Sequence, residues 1–330
     1  MRCFFDGRQR GHAPAVEFFN GGLHAAAECL ERVDAILSAV GTTESPGDHG
    51  LNPIVRAHAP DYVAFLQSAF ADWRAAGRDG DAIPYTFPVV GRRGLDLDRI
   101  DARLGQFAFD TSTPIAEGTW DSAYWGAQSA LSALDTVLAG ARAAFALSRP
   151  PGHHAGRDYL GGYSYLNNAA IAAEAVLAAG RKRVAILDVD YHHGNGTQDI
   201  FVGRDDVLFA SIHADPRTDY PFFWGHADEN RGNILNLPLP RGTDWTAYAP
   251  ALTQALDWIK QGAPDLLIVS YGADTYAGDA ISHFKLQTGD YPRIARRIAA
   301  LGLPTLIVME GGYALGALGA NVAAFLGGFE

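Results

Sequence analysis

From about residue 141 onward the chain alternates two kinds of segment, and that alternation constrains the fold more than any other feature. Short, largely apolar runs, most of them rich in β-branched or aromatic residues, occupy 143–148, 183–188, 207–213, 265–271 and 305–310. Runs of that kind suit strands buried on both faces of a sheet. Helical patterns fill three of the intervals, over 165–179, 245–261 and 291–301. The last has Asp290 as its expected N-cap and runs into the stop Gly302-Leu303-Pro304. Strands alternating with helices imply parallel pairing, with helices on both faces. The expected class is therefore α/β: one domain over 1–330, built on a mostly parallel central sheet.

The N-terminal half is more helical. Tyr62, Phe65, Leu66, Ala69, Phe70 and Trp73 recur at helical spacing over 60–75, and 120–138 repeats the habit, as core-packing helices do. The stretch 80–113 differs, with Pro, Gly, paired Arg and little periodicity. A long irregular insertion in a compact protein is usually functional or an interface. With 48% hydrophobic and 19% charged residues among 330, the chain has ordinary globular composition and length enough for a large core. Cys3 and Cys29 are too few for a disulfide framework or a thiolate metal cluster. A net charge of −11 disfavours nucleic acid and mildly draws cations. Met1-Arg2-Cys3-Phe4-Phe5 soon meets Asp6 and Arg8, leaving no room for a signal-peptide core, and no apolar run is long enough to span a bilayer. The expectation is a cytoplasmic protein without a membrane partner.

In open parallel sheets, ligands bind beyond the carboxyl ends of the strands. The first run is followed by Arg149-Pro150-Pro151-Gly152-His153-His154, and the second ends in Asp188-Val189-Asp190-Tyr191-His192-His193-Gly194-Asn195-Gly196. The fourth leads into Gly272-Ala273-Asp274 and the fifth into Gly311-Gly312-Tyr313. Five of the eleven histidines, His153, His154, His192, His193 and His213, lie in or just after these strands, which reads as a metal and acid–base site. The best metal set is Asp190, His192 and Asp274: two carboxylates and one imidazole, with a position left open, as a catalytic zinc requires. Asp-x-His leaving a strand puts both side chains on one face. Such a metal acidifies water and polarises a carbonyl.

Four segments carry a family resemblance: Arg149-Pro-Pro-Gly-His-His154, Gly161-Gly-Tyr-Ser-Tyr-Leu-Asn-Asn168, Asp188-Val-Asp-Tyr-His-His-Gly-Asn-Gly-Thr197 and Glu310-Gly-Gly-Tyr313. The chain resembles the histone deacetylase superfamily, which has the arginase/deacetylase fold, and within it is most similar to bacterial acetylpolyamine amidohydrolases. The likeness extends to Phe87-Pro88-Val89, Gly118-Thr119-Trp120 and Ile281-Ser-His-Phe-Lys-Leu286. It implies an enzyme that removes acetyl groups from small cationic amines, with Asp190, His192 and Asp274 holding zinc. Iron(II) would suit the same oxygen and nitrogen donors. It also implies that His153 and His154 form a tandem pair, oriented by Asp188 and Asn195 respectively, with His154 as general base. Tyr313 would donate to the scissile carbonyl and then to the oxyanion, completing nucleophile activation, proton transfer and charge stabilisation. A potassium ion would be held by Asp188, the Ser211 hydroxyl and the backbones of Asp190, His192 and Ile212. Tyr163, beside Gly162, would line the acyl-amine channel, and the stretch 220–225, with Phe222, would form a second wall. The insertion over 80–113 would build a homodimer and narrow the entrance.

The chain departs from the family pattern at Ser112, where a glutamate would meet the distal ammonium. Asp101, Asp110 and Glu117 lie near in sequence, and Asp110 is taken as the substrate-binding carboxylate. Ser164 replaces a frequent cysteine, a tolerated packing change. An arginase-like hydrolase with two metals would need carboxylates where Gly194 and Tyr276 stand. Two other activities compete: deacetylation of acetyl-lysine in proteins or peptides, and hydrolysis of another small amide. A catalytically silent acyl-amine binder would lack the base or the phenol, yet His153, His154 and Tyr313 all stand.

Overall fold

A computed structural model describes residues 1–88 and 95–330; Val89 and the middle of the insertion lie outside the described residues. Nine strands are present among them: β1 (Arg2–Phe4), β2 (Val16–Phe19), β3 (Gly22–Ala25), β4 (Ala143–Ala146), β5 (Val184–Asp188), β6 (Val207–Ala214), β7 (Ile234–Leu239), β8 (Leu266–Tyr271) and β9 (Thr305–Met309). Seven form one sheet in the order β1-β4-β9-β8-β5-β6-β7. Every neighbouring pair is parallel, so the sheet is wholly rather than mostly parallel. The remaining two form an antiparallel hairpin.

Residues alternate between two buried faces along each central strand. Ala144, Val184, Ile186, Phe209, Ile268 and Val308 pack on one side with α2 (Ile54–Ala57), α3 (Pro60–Ala75), α4 (Ile100–Gln106), α5 (Thr119–Leu138) and α6 (Asn168–Ala178). Phe145, Ala185, Leu187, Ala210, Val269 and Ile307 pack on the other with α1 (Leu30–Val40), α8 (Trp245–Gln261), α9 (Tyr291–Ala299) and α10 (Leu315–Gly327). Both sides being covered is why these strands read as continuous apolar runs. The short α7 (Asn195–Phe201) follows β5.

The five strands expected from sequence appear within two residues of their expected ends. Both edge strands escape the pattern: β1 has three residues, and β7 contains Pro238, which an edge tolerates because one side of its backbone lacks a partner. The hairpin turns through Asn20 and Gly21, both at positive φ (49° and 79°), as a tight two-residue turn demands. One helix start and one helix cap are corrected. α6 begins at Asn168 rather than 165, because the Asn167 side chain caps Ala170 N at 2.9 Å. Asp290 does not cap α9: Pro292 in the first turn has no N–H to offer, and the carboxylate turns back to accept from Gln287 N (2.9 Å). The insertion over 80–113 is less irregular than expected, since it contains α4.

No helix among the described residues is long and apolar enough to cross a membrane. From β5 the sheet grows outward through β6 and β7, and from β8 it grows the other way through β9. The crevice between β5 and β8 is the switch point at which such sheets place their ligands.

Candidate active site

Asp190 and His192 leave the end of β5, and Asp274 leaves the neighbouring β8, so the register of two strands brings three donors together. One ligand atom from each lies within 4.8 Å of the others. The outer oxygens are already occupied: Asp190 Oδ2 accepts from Gly311 N (2.8 Å), and Asp274 Oδ1 from Tyr191 N (2.9 Å). That turns Asp190 Oδ1 and Asp274 Oδ2 toward His192 Nδ1, at 3.3 and 3.0 Å. Both carboxylates are fully buried, and burial followed by the Asp190 charge pushes Asp274 up to about 8. Two like charges held this close out of water call for a cation between them.

The space for that cradle is cut by glycine. A Cβ on Gly272 would lie 2.0 Å from Asp190 Oδ2, and one on Gly311 would lie 2.7 Å from it. Two carboxylates, one imidazole and no thiolate are donors suited to zinc or iron(II), so the residues present fit a catalytic divalent metal.

The tandem histidines follow β4. His154 Nδ1 lies 2.6 Å from Asn195 Oδ1, an amide oxygen that can only accept. Nδ1 therefore carries the proton and Nε2 keeps its lone pair. Burial, then the neighbouring His153 and His192, hold His154 well below the usual histidine range, so it is neutral. His153 is the opposite case: Nδ1 donates to Asp188 Oδ2 at 2.9 Å. Burial lowers its basicity, but the charges of Asp188 and Asp190 overcome that and push it up to about 10. The pair is thus one base and one cation. Tyr313 closes the opposite side, and burial keeps its hydroxyl well above 10, protonated and able to donate, despite the opposing Arg32 guanidinium.

These groups line one cavity of about 310 Å³, with Gly162, Tyr163, Tyr220 and Phe222 on its walls. Gly162 is required there, since a Cβ would stand 2.2 Å from His154 Cδ2. The Tyr163 ring meets Tyr313 edge-on, with centroids 5.8 Å apart, and Tyr220 meets His154 at 5.1 Å. Phe222 sits at the rim, about half exposed.

Asp110 is not on the wall. It stands one layer back, accepting from Gly162 N (2.7 Å), Tyr220 OH (2.8 Å) and Ser112 N (3.2 Å), and so shapes the channel rather than facing the substrate. Asp101 is held by Arg78 and Arg99 away from the cavity, and Glu117 is exposed. Ser112 does line the cavity. Two carboxylates line it: Asp219, already held by Tyr191 OH (2.7 Å) and Arg241 Nε (2.9 Å), and Glu17 of β2, which sequence reasoning missed. Glu17 Oε1 accepts from Tyr163 OH at 3.2 Å, Oε2 is buried without a hydrogen-bond partner among the described residues, and burial pushes the group up to about 7. The only local signal was a charged residue in an apolar run ahead of Asn20-Gly21.

Two of the five histidines do not join the site. His193 Nε2 bonds Asn236 (3.1 Å), and His213 bonds Ser211 Oγ and Gly225 O (2.8 and 2.9 Å), with the two rings packed on each other outside the cavity lining. Asp188, the last residue of β5, is the register partner of Ser211 within β6; both are fully buried, with Ile212 next in the chain. Ser164 is buried beside His154, its hydroxyl donating to Gly162 O at 3.3 Å.

A histone deacetylase domain model matches residues 23–329. Acetylpolyamine amidohydrolase 1 of Pseudomonas aeruginosa is 49% identical, over 100% of this chain and 99% of the relative. The acetylpolyamine amidohydrolase of Mycoplana ramosa is 42% identical over 99% of both. The crystal structure of acetylpolyamine aminohydrolase from Burkholderia pseudomallei superposes with a TM-score of 0.94 at 41% identity, over 100% of this chain and 98% of that one.

Proposed function

Because the chain belongs to the histone deacetylase family, we propose that its site hydrolyses the acetyl amide of small cationic amines of the acetylpolyamine class, releasing acetate and the free amine. The observation that carries the reading is a cavity lined by His192, a neutral His154, a protonated Tyr313 and Glu17, with Asp190 and Asp274 buried against His192 as the other two metal donors. Relatives that share 42–49% of their residues across the whole chain bear acetylpolyamine amidohydrolase names, which supports the substrate class.

Asp190, His192 and Asp274 would hold zinc, with iron(II) the alternative. When bound, the metal polarises the amide carbonyl and acidifies water. His154 Nε2 takes the proton from the attacking water, and Asn195 keeps the imidazole in the tautomer that permits it. His153, fixed as a cation by Asp188, lends positive charge to the site as the oxyanion forms. Tyr313 donates to that oxyanion. The proton taken by His154 then passes to the leaving nitrogen. Glu17 meets the distal ammonium from the channel wall.

Asp188, Ser211 Oγ and the backbones of Asp190, His192 and Ile212 would hold potassium, which the register pairing of Asp188 with Ser211 supports. The exposed Tyr85 and Leu95 in the insertion support a homodimer contact there.

The test is acetate release by the zinc-loaded protein from acetylputrescine and acetylcadaverine against an acetyl-lysine peptide, with Tyr313→Phe beside each. Turnover of the small amines, lost in the variant, is expected. Preference for the peptide would assign the protein to acetyl-lysine deacetylation instead.

A further inference from the structure

The turn 310–314 carries Tyr313 from β9 to α10, and side chains from elsewhere hold its backbone. Gly311 N donates to Asp190 Oδ2 at 2.8 Å. Tyr313 N and Ala314 N both donate to Asp279 Oδ2, at 2.7 and 3.1 Å. On the other side, Arg32 donates to the carbonyls of Glu310 and Gly312, each at 2.7 Å. Gly312 lies at φ 128°, a conformation that side chains rarely adopt, and no side-chain hydrogen bond from Ala314 caps α10. The second oxygen of Asp279 accepts from Ile281 N at 3.1 Å, and Ile281 lines the cavity. Asp279 thus ties the phenol's own backbone to the facing wall.

We propose that Asp279 is a positioning residue for Tyr313, fixing the phenol hydroxyl over the scissile carbonyl through the N–H groups of residues 313 and 314. The inference rests on Tyr313 acting as the oxyanion donor. A residue that merely capped α10 would affect stability, and would affect turnover equally whether or not the phenol were present.

Asp279→Asn keeps the shape but sets an amide NH₂ against either Ile281 N–H or the Tyr313 and Ala314 pair, so one hold is lost. Misplacing a reacting group by about 1 Å costs up to about 100-fold, so kcat should fall about 10- to 50-fold. The experiment compares kcat, KM and bound zinc for Asp279→Asn, Asp279→Ala, Tyr313→Phe and the double variant Asp279→Asn/Tyr313→Phe, all zinc-loaded. The expected result is a loss in kcat with KM and bound zinc held within about twofold, and less than about twofold further loss once Tyr313 is Phe. An equal loss in both backgrounds, a fall in bound zinc, or an unchanged kcat would overturn the proposal. If Tyr313→Phe itself keeps full kcat, the role of Tyr313 fails first, and Asp279 with it. Should Asp279→Ala fail to fold, the isosteric Asn variant decides.

Discussion

Replacing Glu17 by Gln removes a charge from the cavity while leaving an acceptor for the Tyr163 hydroxyl. Opposite charges about 4 Å apart at an effective dielectric constant near 20 attract by about 4 kcal/mol, a ceiling because the ammonium gives up hydration to reach the wall. A hydrogen bond to a charged group is worth about 1.5–3 kcal/mol net, so kcat/KM for a cationic substrate should fall about 10- to 100-fold. Acetylputrescine carries that ammonium, whereas N-butylacetamide is a neutral amide of similar shape. The pH profile gives a second handle. Burial pushes Glu17 up to about 7, so the ionised form that attracts ammonium prevails above that pH and is lost as pH falls through it. Acetate release followed from pH 5.5 to 9 should therefore show an acid limb near pH 7 in kcat/KM for acetylputrescine. Neither N-butylacetamide nor the Glu17→Gln variant should show it, because kcat/KM reports the groups of the free enzyme. Equal losses on both substrates, or a limb near 7 that survives in the variant, would remove Glu17 from cation recognition.

The other expectations are simpler to check. His154→Ala should lower kcat about 10²- to 10⁴-fold, the usual worth of a positioned base. Because burial and two neighbouring imidazoles depress His154, the acid limb of wild-type kcat/KM on the neutral amide should lie below pH 6.5; a limb at or above 6.5 would contradict the neutral base. Chelation should abolish turnover, and zinc or iron(II) should restore it, with about one ion per chain by elemental analysis; magnesium, a harder ion, should not. Gly272→Ala should lose bound metal while keeping a native far-UV spectrum, since its Cβ would stand 2.0 Å from Asp190 Oδ2. Full metal retention would show the cradle to be looser than its geometry.

What the sequence made legible follows from how each residue is held. Val184–Asp188 and Leu266–Tyr271 read as strands because both of their faces are buried, and composition reports that directly. Whatever follows such strands lies at one edge of a parallel sheet, so Asp190, His192, Asp274, His154 and Tyr313 could be grouped without coordinates. Residue type was not sufficient even there. His193 immediately follows His192 of the candidate metal set, yet its ring turns to Asn236, a direction set by tertiary packing of the β6–β7 region. Asp110 shows the same limit for carboxylates: nearness in sequence to Ser112 suggested a substrate contact, while Gly162 N and Tyr220 OH claim its oxygens.

Glu17 and Asp279 were out of reach for a different reason. Glu17 is on a two-stranded hairpin outside the main sheet, and no strand order places that hairpin over Tyr163. Asp279 is on an irregular segment after Asp274, and its partners at 313 and 314 are more than thirty residues away. Chemistry carried on strand ends inherits the regularity of the sheet and is readable as spacing. The proposed recognition of the amine and alignment of the phenol would be carried by a hairpin and a turn, whose placement depends on long-range contacts alone. A chain of this architecture therefore announces its reaction well before its substrate. The measurements that discriminate most are those on Glu17 and Asp279, since the metal and base would look the same for any acyl amine.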